Sequence, residues 1–148
     1  MSTDIESVVS SWPGVDVGSH RFGGREFTLA GSEIGHLHGD RQADIPFAKR
    51  VRDVVVREGL TAKHHLYPES GWVTKYLRSG DDGERAVWLF RVAYLYKVGA
   101  LQRRDAVPEA IEAVDVATEL DAMDLPSGLR EAFPAPATDE SESPAANP

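Results

Sequence analysis

The chain has 148 residues, no cysteine and a formal net charge of -8. That length suits one domain of ordinary size, and 41% apolar residues suffice for a buried core. The missing cysteine excludes disulfides, a thiol nucleophile and thiolate metal centres. The charge is unevenly spread. Residues 1–104 hold 15 Lys/Arg against 13 Asp/Glu, while residues 105–148 hold 11 Asp/Glu against Arg130 alone. The acidity belongs to the last third, and the rest is slightly basic. No run approaches the roughly 18 apolar residues of a membrane span. MSTDIES lacks the basic and apolar regions of a secretory signal, so a cytoplasmic protein without membrane contact is expected.

Thr3 and Glu6 have capping-box spacing before Ile5, Val8, Val9 and Trp12, which predicts a short helix ended by Trp12-Pro13-Gly14. Gly23-Gly24 then reads as a hairpin loop between strands Ser19–Phe22 and Arg25–Ala30, with a third strand at Glu33–His38. Asp44 is placed to cap a second helix with Pro46 in its first turn. Phe47, Val51, Val54 and Val55 form its apolar stripe, and Gly59 stops it. Strands Lys63–Tyr67 and Trp72–Leu77 follow, around the turn Pro68–Gly71. A helix from Asp81 or Asp82 to about Val98 is too apolar to have a wet face, which makes it the central packing element. Pro108 opens an acidic helix closed by Leu125-Pro126, and a turn of helix follows at Leu129–Phe133. The Pro-rich acidic end is expected to be disordered. The whole reads as α+β: an antiparallel sheet of about five strands on helices, in the order α-βββ-α-ββ-α, plus an acidic C-terminal helix. The expected division is a domain over 1–100, a helical extension over 101–133 and a tail over 134–148.

Glu33–Asp40 is the segment richest in chemistry. Alternation along a strand would put Ile34, His36, His38 and Asp40 on one face. Two imidazoles and a carboxylate together can exchange protons near neutral pH or ligate a metal. His36, His38 and Asp40 are therefore both the candidate catalytic set and the candidate metal set. His64 and His65 are adjacent, so at most one of them can join easily; His65 is assigned to the catalytic set and His64 to its surroundings. His20 reads as an isolated turn residue. Arg25, Glu33, Ser70 and Trp72 are candidate ligand-binding residues, Trp72 either walling a flat pocket or covering the sheet end. Arg41, Lys49, Arg50, Arg52 and Arg57 form a basic stripe that either meets phosphates or is a solvated face. No phosphate loop and no Gly-x-Ser-x-Gly elbow is present.

The string PGV…HRFGGREFTLAGSEIGHLHGDRQADIPFAKRVRD…EG…HH…PESGWV…LFRVAYLY resembles the luciferase family of small domains, named from fungal luciferases, over about residues 12–98. Those luciferases oxidise a hydroxylated pyrone with dioxygen and need no metal or flavin, so the resemblance implies oxygenase-type chemistry without a cofactor. The order of elements also resembles the MmcQ/YjbR proteins, whose CyaY-like α+β fold and proposed DNA binding are an analogy of fold alone. Two functional expectations follow. One is a small aromatic or enolic ligand in a His/Trp-lined cleft between the Glu33–Asp40 and Trp72 strands. The other is a non-catalytic module that binds nucleic acid or protein through the basic helix and is masked by the acidic tail.

Overall fold

A computed structural model describes residues 4–20, 23–64, 66–104 and 107–134. Its elements are α1 (Ile5–Ser10), β1 (Val15–His20), β2 (Gly24–Leu29), β3 (Ser32–His38), β4 (Gln42–Pro46), α2 (Lys49–Arg57), β5 (Ala62–Lys63), β6 (Trp72–Tyr76), α3 (Asp82–Gln102), a 3-10 turn (Glu109–Ile111), α4 (Val116–Asp121) and α5 (Leu129–Ala132). The expected α+β class holds, with six antiparallel strands in the order β1-β2-β3-β4-β6-β5.

The additional strand is β4, which corrects the reading of Asp44 as a helix cap. Gln42, Asp44 and Pro46 alternate with Ala43 and Ile45, both fully buried. That is the period of a half-buried strand. Pro46 closes the strand, and α2 starts only at Lys49, behind Ala48, which makes no side-chain cap. The C-terminal helix is likewise shorter than expected. A 3-10 turn precedes α4, which begins where the Asp115 carboxylate accepts from Thr118 N at 3.1 Å. At the N-terminus the cap is Asp4, which accepts from Ser7 N, while Thr3 lies outside the described residues. Of the expected tail, residues 135–148 also lie outside them.

α3 crosses one face of the sheet and contacts β3, β4 and β6. Leu89, Phe90, Val92, Ala93, Tyr94, Leu95, Val98 and Leu101 are all buried along it, because α1 and α4 cover sides that the sheet does not. The expectation of a central packing element is met. Ile111, Leu120, Leu129 and Ala132 belong to the same core, so the C-terminal segment packs against the sheet-bearing part rather than standing apart.

The register at β3 decides which side chains face away from α3. Phe27 pairs with Gly35 and Thr28 with Glu33, so Ile34 is an extra residue, a bulge,. Ile34 turns into the core at 2% exposure, and Glu33 instead shares the outer face with His36. The backbone at Gly35 has φ +142°, and a Cβ there would lie 2.3 Å from Phe90 Cε1. Only glycine lets α3 lie this close to the sheet.

Candidate active site

On the face turned away from α3, the strand register lines up Glu26 (β2), His36 (β3), Asp44 (β4) and Thr74 (β6) as successive neighbours. His38, two residues along β3, lies on the same face. Asp44 is the centre of the group and is only 1% exposed. Its Oδ2 lies 3.0 Å from His38 Nε2, 3.3 Å from His36 Nε2 and 3.7 Å from His64 Nε2. Its Oδ1 accepts from Thr74 Oγ1 at 2.8 Å and from Gln42 Nε2 at 3.3 Å.

Each imidazole is oriented by a separate contact. His36 Nδ1 meets Glu33 Oε2 at 2.5 Å, a partner that the bulge at Ile34 supplies. His64 Nδ1 accepts from the backbone N–H groups of Leu66 (3.0 Å) and Tyr67 (3.2 Å). An acceptor at Nδ1 leaves a proton on Nε2, which faces Asp44 Oδ2 at 3.7 Å, beyond hydrogen-bond reach,. His20, at the end of β1, stacks on His36 with ring centroids 4.0 Å apart, and its Nδ1 meets Glu26 Oε1 at 2.9 Å. Trp72 lies beside the group, its ring 5.4 Å from that of His36.

The surroundings separate the protonation of the two β3 histidines. Burial works against the charge on His36, but Asp44 and Glu33 bond to its protonated ring and raise it to about 9. Burial would lift the Asp44 carboxyl, yet hydrogen bonds from His36 and Thr74 hold it at about 2. His38 is pushed below its ordinary value by burial, and the charge of His36 adds to that against the pull of Asp44. The group thus favours the charged ring at His36 and the neutral ring at His38,.

The loop over this face is pinned by α2. Arg52 donates to the carbonyls of Pro68 (3.0 Å) and Ser70 (2.7 Å), and Ser70 Oγ accepts from Trp72 N at 3.1 Å. Gly71 passes so close to Phe47 that a Cβ would sit 1.9 Å from the Phe47 carbonyl oxygen. Phe47 N also donates to Gly71 O at 3.0 Å. Ser70 is thus a loop-shaping residue, its hydroxyl donating to Tyr67 O.

Of the residues singled out from sequence, the structure brings His36, His38, Glu33, His64 and Trp72 together. Asp40 is exposed in the β3–β4 turn, and Asp44 stands where Asp40 was expected. Arg25 turns to the helix side and pairs with Glu6 at 3.1 Å. His65 lies outside the described residues. Asp44, Thr74, His20 and Glu26 were missed, and the available signal for Asp44 was the alternation Gln42-Ala43-Asp44-Ile45. In the basic stripe, Arg50 bonds Ala132 O at 2.7 Å and the Tyr96 hydroxyl, and Arg52 holds the loop. Lys49 and Arg41 are exposed, and Arg57 lies 3.9 Å from Glu58. Two hollows of about 550 and 430 Å³ lie elsewhere, beside α1 and beside α4, and neither is lined by an imidazole. Among the described residues no helix is long and apolar enough to cross a membrane.

Residues 31–93 match a family model described as a luciferase domain. The resemblance read from the sequence is borne out over that segment, which runs from the β2–β3 turn to the middle of α3. It includes Glu33, His36, His38, Asp44, His64, Trp72 and Thr74, but neither His20 nor Glu26. No curated protein and no solved structure matches the chain.

Proposed function

With residues 31–93 forming a luciferase-family domain, we propose that the protein binds a small aromatic or enolic molecule at the Asp44-centred group and oxidises it with dioxygen. The observation that carries this reading is the convergence of three imidazole Nε2 atoms within 3.7 Å of one buried carboxylate oxygen. Groups that cluster in this way, with protonation states pushed apart, are suited to taking a proton from a weakly acidic hydroxyl and holding the resulting anion. Trp72 offers an aromatic surface beside them.

The chemistry balances with dioxygen as the oxidant. The substrate O–H bond breaks and its proton enters the imidazole–carboxylate network. The electron-rich carbon of the anion then gives an electron pair to dioxygen, and a C–O bond forms to a peroxide. The proton returns to the outer peroxide oxygen and leaves a hydroperoxide. A positioned acid–base group contributes typically 10²–10⁴-fold to such a transfer.

The test is calorimetric binding of hydroxylated pyrones and simple phenols, followed by oxygen uptake with each binder. His38 has the most exposed side chain of the three, 26%, so His38→Ala can be made with little loss of packing. Binding or oxygen uptake by the wild type, lost at least tenfold in His38→Ala at unchanged melting temperature, is the expected result. A panel without a single binder, or one whose binding His38→Ala leaves intact, would overturn the reading.

A further inference from the structure

We propose that His36, His38 and Asp44 form a site for one divalent first-row transition-metal ion. The inference rests on the reading of this group as the ligand site. An ion there would displace the Nε2 protons of His36 and His38 and hold the substrate oxygen in place of the imidazoles, a departure from the metal-free chemistry that the family resemblance implies. The three side chains each offer one ligand atom, and these atoms lie within 4.8 Å of one another. The Asp44 oxygen is 3.3 Å from one nitrogen and 3.0 Å from the other. Two ligands about 2.0–2.1 Å from a tetrahedral metal stand roughly 3.3–3.4 Å apart. Two of the three spacings are therefore close to those of a coordination shell, and the two ring nitrogens lie within 4.8 Å of each other.

Two of the three ligands, His36 and Asp44, have the outer contacts that metal ligands require. A ligating imidazole usually gives its second nitrogen to a carboxylate, and a ligating carboxylate is itself hydrogen-bonded. His36 Nδ1 has Glu33, and Asp44 Oδ1 has Thr74 and Gln42. All three ligands stand on paired strands, with Asp44 opposite His36 in the register. Two imidazoles and one carboxylate select zinc, iron, cobalt or nickel over magnesium and calcium, which take oxygen ligands. Three protein ligands would leave coordination positions open for an exogenous oxygen ligand, as in non-haem iron oxygenases.

His64 is excluded as a ligand in this arrangement, because its Nδ1 accepts two backbone N–H groups and its Nε2 keeps the proton. Its Nε2 faces Asp44 Oδ2 at 3.7 Å. A second grouping, His20, Glu33 and His36, is also close enough to hold an ion. It would need the His36 nitrogen that faces Glu33, and His36 cannot serve both groupings through one ordinary neutral ring. Asp44 is 1% exposed whereas Glu33 and His20 are only partly buried, and the drier grouping is the one assigned.

The test is a titration of the full, chelator-treated chain with cobalt(II), read by visible absorption, followed by displacement with zinc(II). One equivalent should bind, with the d–d bands of low-coordinate cobalt. His38→Ala should weaken binding at least 100-fold, Glu33→Gln about 10–100-fold, and His20→Ala little. Far-UV circular dichroism would confirm that each variant is folded. Absence of stoichiometric binding, or an affinity that His38→Ala leaves unchanged, overturns the inference. Tight ion binding with no bound pyrone or phenol would sink the substrate reading alone. Ligand binding and turnover by a protein that takes up no ion would sink the metal site alone.

Discussion

Asp44 shows how much one side chain can organise. It is 1% exposed and bonded by His36, His38, Thr74 and Gln42. Removing the carboxylate of a buried ionic group leaves its cation uncompensated, at a cost of about 3–5 kcal/mol, whereas without His38 the carboxylate still has His36, Thr74 and Gln42,. Asp44→Ala should therefore lower the melting temperature strongly, whereas His38→Ala should barely move it; equal shifts in a thermal scan would contradict the account. Gly35 is the second decisive residue. Gly35→Ala combines a strained φ with a collision against Phe90 and is expected to cost about 2–4 kcal/mol. Adding Phe90→Leu should recover part of that loss in a denaturant melt, because the colliding ring is gone. Recovery of nothing would mean that strain at the backbone, not the approach of α3, is the cause.

At the scale of elements, the helix α2 matters through what it holds rather than through its charge. Arg52 bonds the carbonyls of Pro68 and Ser70, which carry the loop that presents Trp72. Arg52→Ala should speed hydrogen exchange at Ser70–Val73 and weaken ligand binding several-fold while melting changes little. Unchanged exchange there would remove Arg52 from the site's support. The start of α3 supplies a pH test. The Asp82 carboxyl is held below its ordinary 3.8, chiefly by the backbone N–H groups of Ser79 and Arg78. A lowered carboxylate stabilises the fold above the unfolded value and loses that contribution as pH falls through the folded one. The difference in melting temperature between wild type and Asp82→Asn should be widest above about pH 4 and close below it. The elements also show what the sequence could reveal. Helix α3 and strand β6 were legible because apolar density and β-rich runs mark them strongly. Strand β4 was not, because Asp44 and Pro46 carry the local chemistry of a helix start, and only pairing with β3 and β6 decides otherwise. The histidine pair was legible from its alternation, but its carboxylate was misassigned to Asp40 for the same reason. The bulge that brings Glu33 to His36 depends on the β2–β3 register, which no local pattern specifies.

For the molecule as a whole, the charge division and the fold do not coincide. The acidic last third supplies Ile111, Leu120 and Leu129 to the common core, so a cut at residue 105 would expose apolar surface. A cut after Pro134 avoids those positions. Because Arg50 and Arg52 are engaged with Ala132, Tyr96, Pro68 and Ser70, neither the full chain nor residues 1–134 should retard duplex DNA at low salt. A salt-sensitive shift by the shorter chain would favour the basic-helix reading instead. The central claim is that His36, His38 and His64 act as one unit around Asp44. Long-range proton–nitrogen NMR of the histidine rings, recorded while a hydroxylated pyrone is added to the full chain, tests it most directly. The account predicts that the ring nitrogens of all three move together with one affinity; rings that stay still while the pyrone binds elsewhere, or that move independently, would contradict it.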